Sequence, residues 1–163
     1  MPQNCYAYAV GHPDSIDPGN FAGVQYLSNS AQDLREAAEA DGLIWAGNAA
    51  LPPASPGHYI VACISTTADT VNYHWIKQEF SSQGQWSHKP GKESVRYTDG
   101  PGNKLTGTNL PHTANWDLCH GLDPRLVPMA RASGFVDYDI FVGYFYCPNG
   151  GLRMRRQKKC EIL

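Results

Sequence analysis

The 163-residue chain predicts an α+β fold, in which an N-terminal, cysteine-bearing helix packs on an antiparallel β-sheet. Three observations carry this. Two short helical patterns with recognisable caps come first. A series of β-branched and aromatic runs follows after residue 57. The order, two helices and then the strand runs, reads as helices followed by an antiparallel meander.

Asn4 stands where an N-cap belongs, with Cys5-Tyr6-Ala7-Tyr8-Ala9-Val10 as a short helix behind it. Gly11, Pro13, Pro18 and Gly19 break the chain next. Ser30 caps the second helix, with Asp33 at the capping-box position and Ala31, Leu34, Ala37 and Ala38 along its apolar face. Asp41-Gly42 closes it, and 47–57 reads as loop. Strands are expected at 58–65 (HYIVACIS), 71–80 (VNYHWIKQEF), 85–88 (QWSH), 95–97 and 140–147 (IFVGYFYC). Residues 100–137 carry many Gly, Pro and Asn and show no clear period, apart from a short helical stretch at 125–132. The pattern gives a domain at 1–148 and an appendage at 149–163, a Pro-Asn-Gly-Gly linker leading into a basic tail.

The net charge of −2 conceals an asymmetry. Residues 1–152 hold eight Lys/Arg against fourteen Asp/Glu, a charge of −6, while 153–163 hold five basic residues against one acid, a charge of +4. An acidic body argues against nucleic acid as a partner, since phosphate binding needs a basic face on the fold. The start, MPQNCYAYAVGHPD, has neither the basic nor the long apolar region of a signal peptide, and no run reaches transmembrane length. The five cysteines match no disulfide framework and no zinc-ligand spacing such as C-x-x-C, so neither a metal nor a cofactor is expected. Gly91-Lys92-Glu93-Ser94 lacks the glycine and Lys-Ser/Thr step of a phosphate-cradling loop. A reducing cytosol is the expected setting.

The final stretch, RMRRQKKCEIL, fits a prenylation signal. Cys160-Glu161-Ile162-Leu163 follows the C-a-a-X pattern, with Leu selecting geranylgeranyl, although Glu161 is not aliphatic. Arg153, Arg155, Arg156, Lys158 and Lys159 stand upstream. A single lipid chain binds membranes weakly, and a basic cluster supplies the second signal on an anionic cytoplasmic leaflet. The expected partners are therefore an anionic membrane and a host prenyltransferase. The expected location is the cytoplasmic face of a eukaryotic membrane, as for a pathogen effector or toxin.

Cys5 is the candidate nucleophile, because a helix start lowers a thiol's pKa and offers unpaired N–H groups to an oxyanion. A thiol needs a base, and His58, opening the first long strand, is the candidate. A third group should orient the imidazole. His74 is the first choice, with Gln78 and His88 as alternatives, and the register of the strand pair decides among them. A connecting loop centred near Thr66 brings His74 level with His58; one near Ala68 brings Gln78 or Glu79 there. The other reading of Cys5 is a buried core residue, as Cys63 and Cys147 read. His74 between Tyr73 and Trp75 could equally be a structural histidine, and His88 a shaper of the turn after it. The adjacent Cys119-His120 pair is a weaker candidate.

The ordered set NCYAYA, GHYIVACI and NYHWIKQ over residues 4–90 resembles the papain-like superfamily of thiol peptidases and acyltransferases, in the compact NlpC-type layout. Those segments with WSHKPG also resemble a set of small uncharacterised bacterial proteins. The resemblance implies acyl chemistry at Cys5 with His58 as base and a protein or peptide substrate. The chain lacks the Asp-Cys or Asp-Cys-Ser approach of the cell-wall peptidases, which argues against peptidoglycan. The competing class is a non-catalytic, prenylated binding module whose histidine and aromatic strands form an interaction surface.

Overall fold

In the computed structural model the described residues are 3–24, 28–68, 72–79, 84–91, 93–120, 122–132 and 136–152. The basic tail and Cys160 lie outside them. Helix α1 is Cys5–Val10, α2 is Ala31–Ala40 and α3 is Val127–Ala132; strands are β1 (Ile44–Trp45), β2 (His58–Ser65), β3 (Tyr73–Gln78), β4 (Trp86–His88) and β5 (Ile140–Pro148). A 3₁₀ turn covers Asn20–Ala22.

The helix starts form as their sequences direct. Asn4 Oδ1 accepts the Ala7 amide at 2.9 Å, and Ser30 Oγ accepts that of Asp33 at 3.4 Å. Gly11 ends α1 in the left-handed region at φ 75°, where a side chain would be strained. Asp41 ends α2 and does more than close it. Its buried carboxylate accepts the Tyr6 hydroxyl at 2.6 Å and the amides of Gly19 at 2.7 Å and Ala22 at 3.1 Å. One residue thus joins both N-terminal helices and the loop between them.

The sheet is α+β in architecture and antiparallel in every pair, with order β1-β5-β2-β3-β4. It departs from a plain meander. β5 returns to lie between β1 and β2, and so builds the long central pair with β2 from His58↔Pro148 to Ser65↔Ile140. The expected strand at 95–97 reduces to a bridge between Arg96 and His88.

Alternation along the strands divides the core in two. Tyr59, Val61, Cys63 and Trp75 face α1 and α2 and pack with Tyr6, Val10, Leu34 and Phe145. Ile60, Ala62, Ile64 and Ile76 face the irregular segment 93–138 and pack with Trp86, Leu105, Trp116, Val136 and Tyr138. The expected linker is docked rather than free: the Leu152 amide bonds to Val10 O at 2.8 Å, and Leu152 is buried in the first cluster.

At Gly143 the second strand register shifts, between Cys63 and Ile64. The Trp45 ring lies where a side chain would begin: a Cβ there would stand 2.3 Å from Trp45 Cζ3. Trp45 is in turn held by Arg35, 4.0 Å above its ring, and by Phe145 edge-on. Gly143→Ala should therefore destabilise the fold by about 2 kcal/mol, the cost of overpacking. A denaturant titration with an unchanged m-value would check it.

Candidate functional site

Where Cys5 sits follows from where β4 stops. β4 pairs with Ile76–Gln78 of β3, and the Glu79 amide adds a bond to Gln85 O. Two residues back on the same edge, Tyr73 and Trp75 have no strand opposite them among the described residues. The Cys5 side chain takes that place. Its Sγ donates to Tyr73 O at 3.9 Å and the Trp75 amide points at it. Burial pushes this thiol up to about 11, against the pull of the Trp75, Tyr6 and Cys5 backbone amides. The helix start does not give Cys5 the low pKa expected of it, because desolvation outweighs those amides.

His58 is not beside it. Tyr73, the Cys5 contact, is level with Ser65 at the far end of β2. Seven residues of strand, roughly 23 Å, separate Ser65 from His58. His58 shares the face of Ile60 and Ile64, as does His74 opposite Ile64, so it is distance along the strand that separates His58 from Cys5. Its own Nδ1 bonds to Pro56 O at 3.0 Å, and its ring meets the edge of Tyr146. The expectation of a Cys5–His58 pair is corrected accordingly, and with it the contact expected between His74 and His58. The β2–β3 pairs, from Val61↔Lys77 to Ser65↔Tyr73, centre on position 69, three residues past Thr66 and one past Ala68, so neither His74 nor Gln78 comes level with His58. Gln78 pairs with Trp86 at the far end of β3 from Cys5.

His74 and His88 are brought together instead. Both are buried, and His74 Nε2 lies 2.8 Å from His88 Nδ1. His88 Nε2 lies 2.6 Å from the Thr98 carbonyl oxygen. A carbonyl only accepts, so His88 carries its proton on Nε2. When both rings are neutral, His88 Nδ1 must then accept from His74 Nε2–H. This leaves the lone pair of His74 on Nδ1, as a general base requires. Burial holds both imidazoles neutral, His74 well below the ordinary range and His88 at about 4; the cation of Arg96 adds to both shifts, and the Thr98 carbonyl partly opposes that of His88. His74 follows Tyr73 directly. The thiol at the β3 edge and the imidazole on the face beyond it are thus neighbours along the same strand, though the Cys5 hydrogen bond goes to a carbonyl rather than to an imidazole.

Two aromatic residues enclose the pair, Trp116 from the segment without a readable period and Tyr138 from just beyond it. Trp116 meets the His88 ring edge-on at 5.2 Å and donates its Nε1 to Pro111 O at 2.8 Å. Tyr138 stacks on His74 at 5.6 Å and bonds to Asn72 Oδ1 at 2.9 Å. The signal available was large aromatics set among turn residues, where packing is the usual reason for them. Cys63 and Cys147 are buried with raised pKa values, as core thiols should be. Cys119 is buried, while His120 lines a separate cleft with Arg96, Leu118, Leu122, Leu126 and Met129. Among the described residues no group of three or more His, Cys, Asp or Glu could hold a metal, and no helix is long and apolar enough to cross a membrane.

No family model, curated protein or solved structure matches this chain.

The neutral imidazoles have a measurable consequence. Unfolded, each takes up a proton near pH 6.5; folded, each resists until well below that. The unfolded state therefore binds more protons between about pH 4 and 6.5, and stability falls as the pH is lowered through that window. The slope should reach about 1.4 kcal/mol per pH unit for each ring. His88→Gln should flatten this limb in chemical denaturation measured at pH 4.5, 5.5, 6.5 and 7.5.

Proposed function

We propose that the chain is a papain-like thiol hydrolase or acyltransferase in which Cys5 is the nucleophile, His74 the base and His88 the positioning residue. One observation supports this above the others: the Thr98–His88–His74 chain leaves an unprotonated Nδ1 on the residue next to the one that Cys5 contacts. The order cysteine on a helix, histidine on a strand, polar residue on the next strand is that of the NlpC-type layout, with the base moved from β2 to β3.

The chemistry runs as follows. The Cys5 S–H gives its proton to His74 Nδ1 as sulfur bonds to the acyl carbon of a peptide, amide or ester. The tetrahedral intermediate collapses, His74 Nδ1–H protonates the departing amine or alcohol, and a thioester remains on Cys5. Water or a second nucleophile, deprotonated by His74, then releases the acyl group. His88 accepts the Nε2–H throughout and fixes the tautomer, as the third member of a triad does.

A second reading has its own support. The thiol is buried, protonated and bonded to Tyr73 O, which suits a structural plug in a non-catalytic binding module. Iodoacetamide alkylation separates the two. A nucleophilic Cys5 should label at least tenfold faster than Cys63 or Cys147 near neutral pH, and His74→Gln should remove that advantage. Equal labelling of all three in the wild type would leave the structural plug.

For the tail we propose prenylation at Cys160 and attachment to anionic cytoplasmic membranes in a eukaryotic cell, with protein or peptide substrates met there. This requires Leu163 to be the final residue. Intact-mass measurement of the protein from eukaryotic cells reads both facts, and a geranylgeranyl adduct with loss of Glu161-Ile162-Leu163 is expected. Cys160→Ser should be cytosolic, and neutralising Arg153, Arg155, Arg156, Lys158 and Lys159 should weaken membrane partitioning. An unmodified Cys160 followed by its three residues would overturn the anchor.

A further inference from the structure

The candidate thiol and imidazole belong to different elements, on different sides of the β3 edge, so something must fix one against the other. β4 and the residue after it are placed to do so. Successive side chains on a strand point to opposite faces. His88 points away from α1 and holds His74. Ser87 and Lys89 point the other way. Ser87 Oγ meets the Tyr8 hydroxyl at 2.8 Å, in the middle of α1. Lys89, half-buried, reaches past the start of α1: its Nζ donates to Gln3 O at 2.6 Å and to Gly91 O at 2.7 Å.

We infer that Lys89 is a positioning residue, a strap that sets the height of Cys5 against the His74–His88 pair. The inference rests on the thiol–imidazole reading above. Its independent support is the pattern of bonds around Gln3–Cys5. Gln3 Nε2 bonds to His12 O at 2.6 Å and Asn4 Nδ2 to Ile16 O at 2.8 Å, both within the N-terminal segment itself. Those bonds shape the segment but do not locate it on the sheet. The two bonds of Lys89 are charge-assisted, and Gly91 O fixes the ammonium while Gln3 O receives it. Lysine suits this task, since its N–H groups can serve two carbonyls while its long stem spans from β4 to the residue two before Cys5. The adjacent pair His88-Lys89 therefore holds both halves of the site: one residue orients the base and the next holds the nucleophile's helix.

The test uses the full chain and iodoacetamide, with labelling of each cysteine followed by mass spectrometry from pH 5 to 9. In Lys89→Met, Cys5 should label roughly ten- to a hundredfold more slowly, the usual cost of about 1 Å of misplacement. Cys63 and Cys147 should stay slow. Lys89→Arg should recover most of the rate, and Ser87→Ala, which frees only the middle of α1, should change it less than Lys89→Met. A merely structural lysine behaves differently: its loss would lower Tm and speed labelling of all the buried thiols together. Should the Met variant fail to fold, Lys89→Gln, too short to reach Gln3 O, gives the same comparison against Lys89→Arg. Wild-type Cys5 kinetics in Lys89→Met, or a rise at every thiol, overturns the strap while His74→Gln still slows Cys5. If His74→Gln leaves Cys5 unchanged, the thiol–imidazole reading fails and the strap with it.

Discussion

The pairing of β2 with β3 decides what every candidate residue can do. Ile64 opposite His74 and Cys63 opposite Trp75 put the imidazole on one face and the indole on the other. A slip of one residue would exchange them. Burial alone would not forbid the slip, because both faces of this pair are apolar and covered. What fixes it is specific. His74 finds its one imidazole partner on β4, Trp75 packs against Tyr6 at 4.9 Å and Phe145 at 5.5 Å, and the Tyr73 hydroxyl reaches Asp17. A buried polar contact here does the work of register selection, which an apolar surface cannot do.

That same register explains which parts of the chain were legible in its sequence. The caps at Asn4 and Ser30 were readable because they depend on a few adjacent residues. The β2 run was readable because eight residues with seven buried leave little else to be. The partner of Cys5 was not, since it rests on a pairing set by contacts between residues far apart in sequence. His58 looked suitable as the polar residue at a strand mouth, but α1 runs with its C-terminal end toward that mouth: the Tyr59 hydroxyl bonds to Ala9 O. The segment 100–137 hid its contribution for another reason. Its backbone bonds are made by turns and by side chains, as where Asp99 takes the Asn103 amide at 2.8 Å and the Asn109 amide group at 3.1 Å. Such a segment has no period to read, yet it supplies Trp116 to the histidine pair, and Thr98 stands just before it.

Two buried imidazoles without a carboxylate against them are a poor route to stability. Each is desolvated, and the pair satisfies itself through a chain that ends on a backbone carbonyl. An apolar pair of similar volume would pack there without loss in acid. Asp99 is near enough to raise His88 slightly, yet its carboxylate is committed to Asn103 and Asn109. The arrangement gives up pH tolerance and gains a ring whose tautomer is determined. That exchange is what the proposed site would require of its base.

The resting protonation state then follows from magnitudes. The thiol is raised to about 11 and His74 is pushed well below its ordinary 6.5. Moving the proton from sulfur to imidazole is uphill before the attraction of the resulting ions is counted. Cys5 at rest is therefore a thiol, and its bond to Tyr73 O agrees with that. A thiol hydrolase built this way would not store a thiolate–imidazolium pair. It would form one only at the moment of attack, when sulfur bonds to an incoming electrophile, an acyl group or iodoacetamide alike, as His74 takes its proton. The burial that keeps Cys5 a thiol at rest thus leaves its reactivity to the neighbouring base, which serves it only while its helix is held at the right height on the sheet.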